Sequence, residues 1–135
     1  MTRLRLASVG LTALGIVTWA GAACFSERST GASPNVAAEC RVPVTVIDSL
    51  HILVAIRNFA FIPDTIRVPV GATVTWVNCE PPVTEPHTTT SDAPGWDSGS
   101  LNPGDRYSHR FGAAGTFPYH CTPHEPIMKG EVIVQ

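Results

Sequence analysis

Gly115-Thr-Phe-Pro-Tyr-His120-Cys121-Thr-Pro-His124-Glu-Pro-Ile-Met128-Lys-Gly130-Glu-Val-Ile-Val134 is the most informative stretch of this chain. Thr116–Cys121 and Gly130–Val134 read as two short strands, and the residues between them form a loop. Three side chains in that loop are metal donors by type: the Cys121 thiol, the His124 imidazole and the Met128 thioether. Pro123 and Pro126 stiffen the loop. A stiff loop between two strands can fold its donors back onto a single ion.

Upstream, the chain continues as short strands punctuated by turn residues. Val42, Val44 and Val46 alternate, as do Ile52, Val54 and Ile56. Ile66 and Val68 follow, then Val74 and Trp76, and Tyr107–Phe111 adds another segment. Spacing of two is strand spacing. Asp64 after Pro63, Gly71, and Asn102-Pro-Gly104-Asp105 mark turns, and 12 prolines with 11 glycines fit a chain of many turns. Outside the first residues no helical period runs for three turns. The expected fold is therefore all-β: a two-sheet Greek-key β-sandwich of seven to eight strands. The Pro-, Thr-, Ser- and Asp-rich stretch from Asn78 to Leu101 should be an excursion dominated by loop, with one or two short strands at most.

A fourth donor is available at His87, within that excursion. Each donor has an ordinary reading beside the functional one. A lone Cys in an exported β-protein is usually half of a disulfide, a His in a polar loop is usually solvated, and a Met usually fills core. Taken together, a thiolate, two imidazoles and a thioether are the donor set of a mononuclear blue-copper centre. Zinc rarely recruits Met and favours a Cys/His cage. His51 opens a strand far upstream, His109 lies in mid-strand, and His120 should point to the face opposite Cys121. Asn78 has two readings, a hydrogen-bonding partner of the thiolate or ligand loop and a plain turn residue.

At these residues the chain resembles the cupredoxins, in particular the plastocyanin and amicyanin branch. Gly115–His124 and Met128–Val134 carry the likeness. So do Phe59-Ala-Phe61-Ile-Pro63, Gly71-Ala-Thr-Val-Thr-Trp76-Val-Asn78 and Pro86-His87. The likeness spans roughly residues 50–135. It departs from the branch in the three residues between His124 and Met128, in a longer insertion at Glu80–Glu85, and in Cys79 at a place that is commonly charged or polar. The resemblance implies one type 1 copper ion cycling between Cu(I) and Cu(II). It implies in-plane His87, Cys121 and His124, axial Met128, and no enzymatic activity. It further implies transient docking of a protein redox donor and acceptor near His124, on an apolar patch that includes Pro123, Pro126 and Ile127. The same donors would also serve an exported protein that handles copper without transferring electrons. A multicopper enzyme would need further His-rich segments and a second domain, which this length does not hold.

Residues 1–23 read as an export signal: Arg3 and Arg5, an apolar run from Leu6 to Trp19, then Ala20-Gly-Ala-Ala23. Residues 24–41 read as a flexible tether and 42–135 as the domain, expected to be monomeric. Loss of Arg3 and Arg5 takes the formal net charge from −2 to −4, and no basic stripe remains for nucleic acid. With Cys121 assigned to copper, Cys24, Cys40 and Cys79 remain, and one must be unpaired. Gly21-Ala-Ala-Cys24 resembles a bacterial lipoprotein box, with Gly21 where Leu is usual. A lipidated Cys24 on the outer face of a membrane leaves Cys40 and Cys79 to pair. The rival arrangement pairs Cys24 with Cys40 and leaves Cys79 free.

Overall fold

The computed structural model describes residues 28–29, 40–41, 46–48 and 50–135. These form short strands in two sheets. The first sheet runs in the order β1 (Arg28–Ser29), β8 (Arg106–Arg110), β6 (Thr73–Asn78), β3 (His51–Arg57) and β2 (Val46–Asp48), with β4 (Ala60–Ile62) also pairing with β3. The second runs β5 (Thr65–Val68), β10 (Lys129–Val134), β9 (Gly115–His120) and β7 (Thr90–Ser91). β3 pairs parallel with β6, and β5 parallel with β10; the other pairings are antiparallel. Parallel neighbours require the chain to leave and return. It does so by crossing from β4 in one sheet to β5 in the other before β6, so the expected Greek-key sandwich is the one observed.

The period-two residues face inward. Ile52, Val54 and Ile56 of β3, Ile66 and Val68 of β5, Val74 and Trp76 of β6, and Val132 and Val134 of β10 share one buried cluster. Each fully buried aliphatic side chain contributes about 1.5–3 kcal/mol relative to exposure. Trp76 anchors the cluster, stacked on Trp96 at 5.6 Å and edge-on to Tyr119 at 5.4 Å. The Tyr119 ring in turn dictates a glycine opposite. A Cβ on Gly130 would lie 2.4 Å from Tyr119 Cζ, so the β9–β10 pair that flanks the donor loop closes only over Gly130.

β3 is buried without a break from Ile52 to Ile56, because its outer face is covered too. Leu53 and Val77 form a second small cluster there with Cys40 and Cys79. Those two cysteines are joined, with Cα atoms 5.4 Å apart, which excludes the Cys24–Cys40 arrangement. Within the segment expected as a tether, Arg28 and Ser29 pair with Tyr107 and Arg106, and Cys40 is fastened to the sheet. The signal segment, Cys24 and the rest of 24–39 lie outside the described residues, as does the Val42–Val44 alternation.

Candidate metal centre

Three of the four donors come from the β9–β10 connection. Cys121 follows β9 directly, and a single 3-10 turn, Thr122–His124, starts with Pro123 near its N-terminus, where a missing N–H costs nothing. The loop is tied across its neck. Cys121 N–H donates to the Met128 carbonyl at 3.0 Å, while the His124 carbonyl accepts from Ile127 N–H at 3.1 Å and Met128 N–H at 3.2 Å. Met128 is buried in the same cluster as Cys121. His87 arrives from the long excursion, pinned by two backbone bonds with Leu101 of 3.0 and 2.7 Å. Asn78 bonds neither the thiolate nor the Cys121–Met128 loop; it closes a local turn and braces the segment that pairs with His87. Its Nδ2 donates to the Leu101 carbonyl at 2.9 Å and its Oδ1 accepts from Glu80 N–H at 3.0 Å.

The result is a triangle of donor atoms. His87 Nδ1 and His124 Nδ1 are 3.1 Å apart, and Cys121 Sγ lies 3.6 Å from the first and 3.2 Å from the second. A point equidistant from the three lies about 1.9 Å from each, close to the ~2.0–2.3 Å at which imidazole nitrogen and thiolate sulfur ligate a first-row divalent ion. Three atoms that can each ligate through a lone pair converge here, as a cation between them would require. Burial pushes the Cys121 thiol pKa up, opposed by the Thr88 backbone N–H that points at its sulfur from 3.3 Å. A thiolate at this depth is stabilised by a bound cation. The donor set therefore fits a copper ion.

Behind the triangle each imidazole has a carboxylate. His87 Nε2 is buried and lies 3.5 Å from Glu80 Oε1; His124 Nε2 lies 3.6 Å from Glu85 Oε2. Burial holds the His87 pKa below its ordinary value, with proximity to His124 acting the same way and Glu80 opposing both. The Phe59 ring stands edge-on to both imidazoles, with centroids 5.3 Å from His87 and 4.9 Å from His124. Thr88, Thr90 and Thr122 link their hydroxyls at 3.1–3.3 Å on the solvent side.

Of the residues singled out in the sequence, His87, Cys121 and His124 meet, and Met128 closes the loop neck. His120 turns away to Asp92, at 2.6 Å, as the strand alternation predicts. His109 packs on Trp96 and Phe111, and His51 opens β3. Sequence reasoning missed Glu80, Phe59 and Thr88 as neighbours of the centre. Glu80 and Thr88 lie next to residues already singled out, Cys79 and His87, which was the available signal.

Comparison with known proteins agrees with this geometry. The family described as copper binding proteins, plastocyanin/azurin family, matches residues 49–135. Amicyanin from Paracoccus denitrificans is 33% identical over 141 residues, covering 99% of this chain and 97% of that protein. Plastocyanin from Scenedesmus fuscus is 38% identical over 87 residues, covering 56% of this chain and 86% of that one. Among solved structures, a variant amicyanin in its reduced Cu(I) form superposes with a TM-score of 0.56 at 34% identity, covering 62% of this chain and 80% of that one. An oxidised amicyanin variant gives 0.57 at 33%, covering 65% and 84%. With a two-sheet sandwich, a His–Cys–His triangle and these relatives in agreement, the chain belongs to the plastocyanin/azurin family of copper-binding proteins, in the amicyanin and plastocyanin branch of the cupredoxins.

Proposed function

We propose that the chain is a type 1 (blue) copper electron-transfer protein, in which His87, Cys121 and His124 would hold the ion as its three strong donors and Met128 would be the fourth, weaker one. The observation that carries this reading is the convergence of two imidazole nitrogens and one sulfur within 4.8 Å of one another. Copper bound there supplies a one-electron Cu(I)/Cu(II) couple. The protein's own part is to hold the donors nearly still. Cys121 and Met128 share a backbone hydrogen bond, His87 is clamped to Leu101, and both attach to a close-packed core that resists movement. Thr88 N–H donates to the Cys121 sulfur, which lessens the charge the thiolate gives to the metal and so favours the reduced state.

The His124 edge is where transiently docked protein donors and acceptors would exchange electrons with a bound copper. Ile127 (77% exposed), Phe59 (41% exposed), Pro123 and Pro126 supply apolar surface around it. A small contact of this type suits weak redox encounters. The protein works outside the cytoplasm as a monomer, after removal of residues 1–23, and is held to the membrane through lipidated Cys24. Supporting this, a Cys40–Cys79 disulfide persists in oxidising compartments, and it leaves Cys24 without Cys40 as a partner. Cleavage before Cys24 and a diacylglycerol adduct are both visible by mass spectrometry of the mature N-terminus; an unmodified Cys24 overturns the anchor.

Cupric ion added to the metal-free protein is expected to give an intense blue colour and a narrow-hyperfine paramagnetic spectrum. Both should vanish in Cys121→Ser. A colourless wild type sinks the proposal. A protein that binds Cu(I) but resists reversible one-electron oxidation is a copper handler instead.

A further inference from the structure

The carboxylates behind the two imidazoles stand at nearly the same range in very different surroundings. Glu80 Oε1 is 3.5 Å from His87 Nε2, and its side chain is 3% exposed; Glu85 Oε2 is 3.6 Å from His124 Nε2, and its side chain is 80% exposed. Water and salt screen Glu85, whereas a charge held in low dielectric acts on its neighbours at several times the strength.

Glu residues are almost never buried without partners, and Glu80 is firmly held. One of its oxygens accepts Phe59 N–H at 2.8 Å, its own N–H donates to Asn78 Oδ1 at 3.0 Å, and the residue before it is in the Cys40–Cys79 disulfide. Phe59 follows Asn58, and both have left-handed backbones with φ of 56° and 53°, a conformation that costs about 1 kcal/mol or more for such residues. The Phe59–Glu80 bond holds that turn in place, and the turn puts the Phe59 ring against both imidazoles.

We propose that Glu80 is a positioning residue with two effects: it lowers the reduction potential of the copper centre through His87, and it seats Phe59 against the ligand rings. The inference rests on the copper reading above. A fixed negative charge behind His87 favours the more highly charged oxidised metal, so removing it favours the reduced one.

The test uses the copper-loaded protein in a spectroscopic redox titration. In Glu80→Gln, which keeps shape and loses charge, the Cu(I):Cu(II) ratio at a fixed potential is expected to rise about tenfold, an upward shift of about 59 mV for one electron. Glu85→Gln should change it less than about twofold, and Glu80→Asp should restore most of the wild-type value, which also covers the case in which Glu80→Gln does not fold. A Glu80→Gln shift under twofold, or no larger than that of Glu85→Gln, overturns the proposal. On the metal-free protein, the Phe59 amide should exchange with solvent at least tenfold faster in Glu80→Ala; unchanged exchange overturns the seating role. If the wild type never turns blue, the copper reading fails instead, and the exchange experiment still reports on Glu80.

Discussion

His87 and His124 direct the same atom, Nδ1, at one another across 3.1 Å, yet the two sides of the triangle are built differently. His87 is wholly buried. It is held through Leu101 to Asn78, which is continuous in sequence with the disulfide-bonded Cys79 and the buried Glu80. His124 sits on one 3-10 turn, beside exposed prolines, an exposed carboxylate and three surface threonines. The difference separates two tasks that conflict in a redox protein. On the proposed function, the dry, stapled side would fix the energy of the metal, while the thin, solvent-facing side would bring a partner close to it.

If the buried side draws its rigidity from the staple, the largest effect should come from removing it. The cysteines of the Cys40–Cys79 bond are 39 residues apart, and closing a loop of that size is worth roughly 4 kcal/mol in the chain-entropy account. The Cys40→Ser, Cys79→Ser double variant should therefore lose about 3–4 kcal/mol in chemical denaturation. A loss below about 1 kcal/mol would mean that the packing around Leu53 and Val77 holds this side unaided.

A matched pair of polar deletions sharpens the contrast. Asn78→Ala leaves the Glu80 N–H without its partner in a buried setting and takes one of two donors from the Leu101 carbonyl, which keeps the His87 N–H; a buried group left unpaired costs about 1–3 kcal/mol. We expect a loss of about 1–3 kcal/mol by denaturant unfolding. On the other side, Thr122→Ala removes hydroxyl contacts to Thr88 and Thr90 that water replaces, and should cost less than about 0.5 kcal/mol. Equal costs would break the distinction between the two sides.

The exposed side was the legible one in the sequence, and the reason is chemical. Cys121, His124 and Met128 lie within eight residues, and their types point to a metal wherever the loop folds back. The strands read equally well where inward residues alternate, as at Ile52, Val54 and Ile56. β4 and β7 were less visible, because two or three residues cannot display a period. The buried side depends on juxtapositions that no spacing encodes. Glu80 meets Phe59 across 21 positions, and Thr88 reaches the sulfur through a backbone N–H that any residue but proline would carry. Counting cysteines allowed two pairings, and only the packing of Cys40 and Cys79 over β3 and β6 separates them.

The smallest expected effect asks what burial does to an imidazole with no carboxylate behind it. His109 is stacked on Trp96 at 5.0 Å, far along the sequence from every donor, and burial alone lowers its pKa from the ordinary 6.5. The unfolded chain then binds more protons than the folded one as pH drops below about 6.5, so stability from this group is whole above that pH and declines beneath it. In the metal-free protein, His109→Phe keeps an aromatic ring against Trp96 and removes the titration. Its melting temperature should fall less than that of the wild type between pH 7.5 and 5.5, the other histidines contributing equally to both. Parallel pH curves would show that His109 takes up its proton as readily in the fold as outside it. In that case burial without a carboxylate would not perturb an imidazole here, and the contrast between His87 and His124 would have to rest on Glu80 and Glu85 alone.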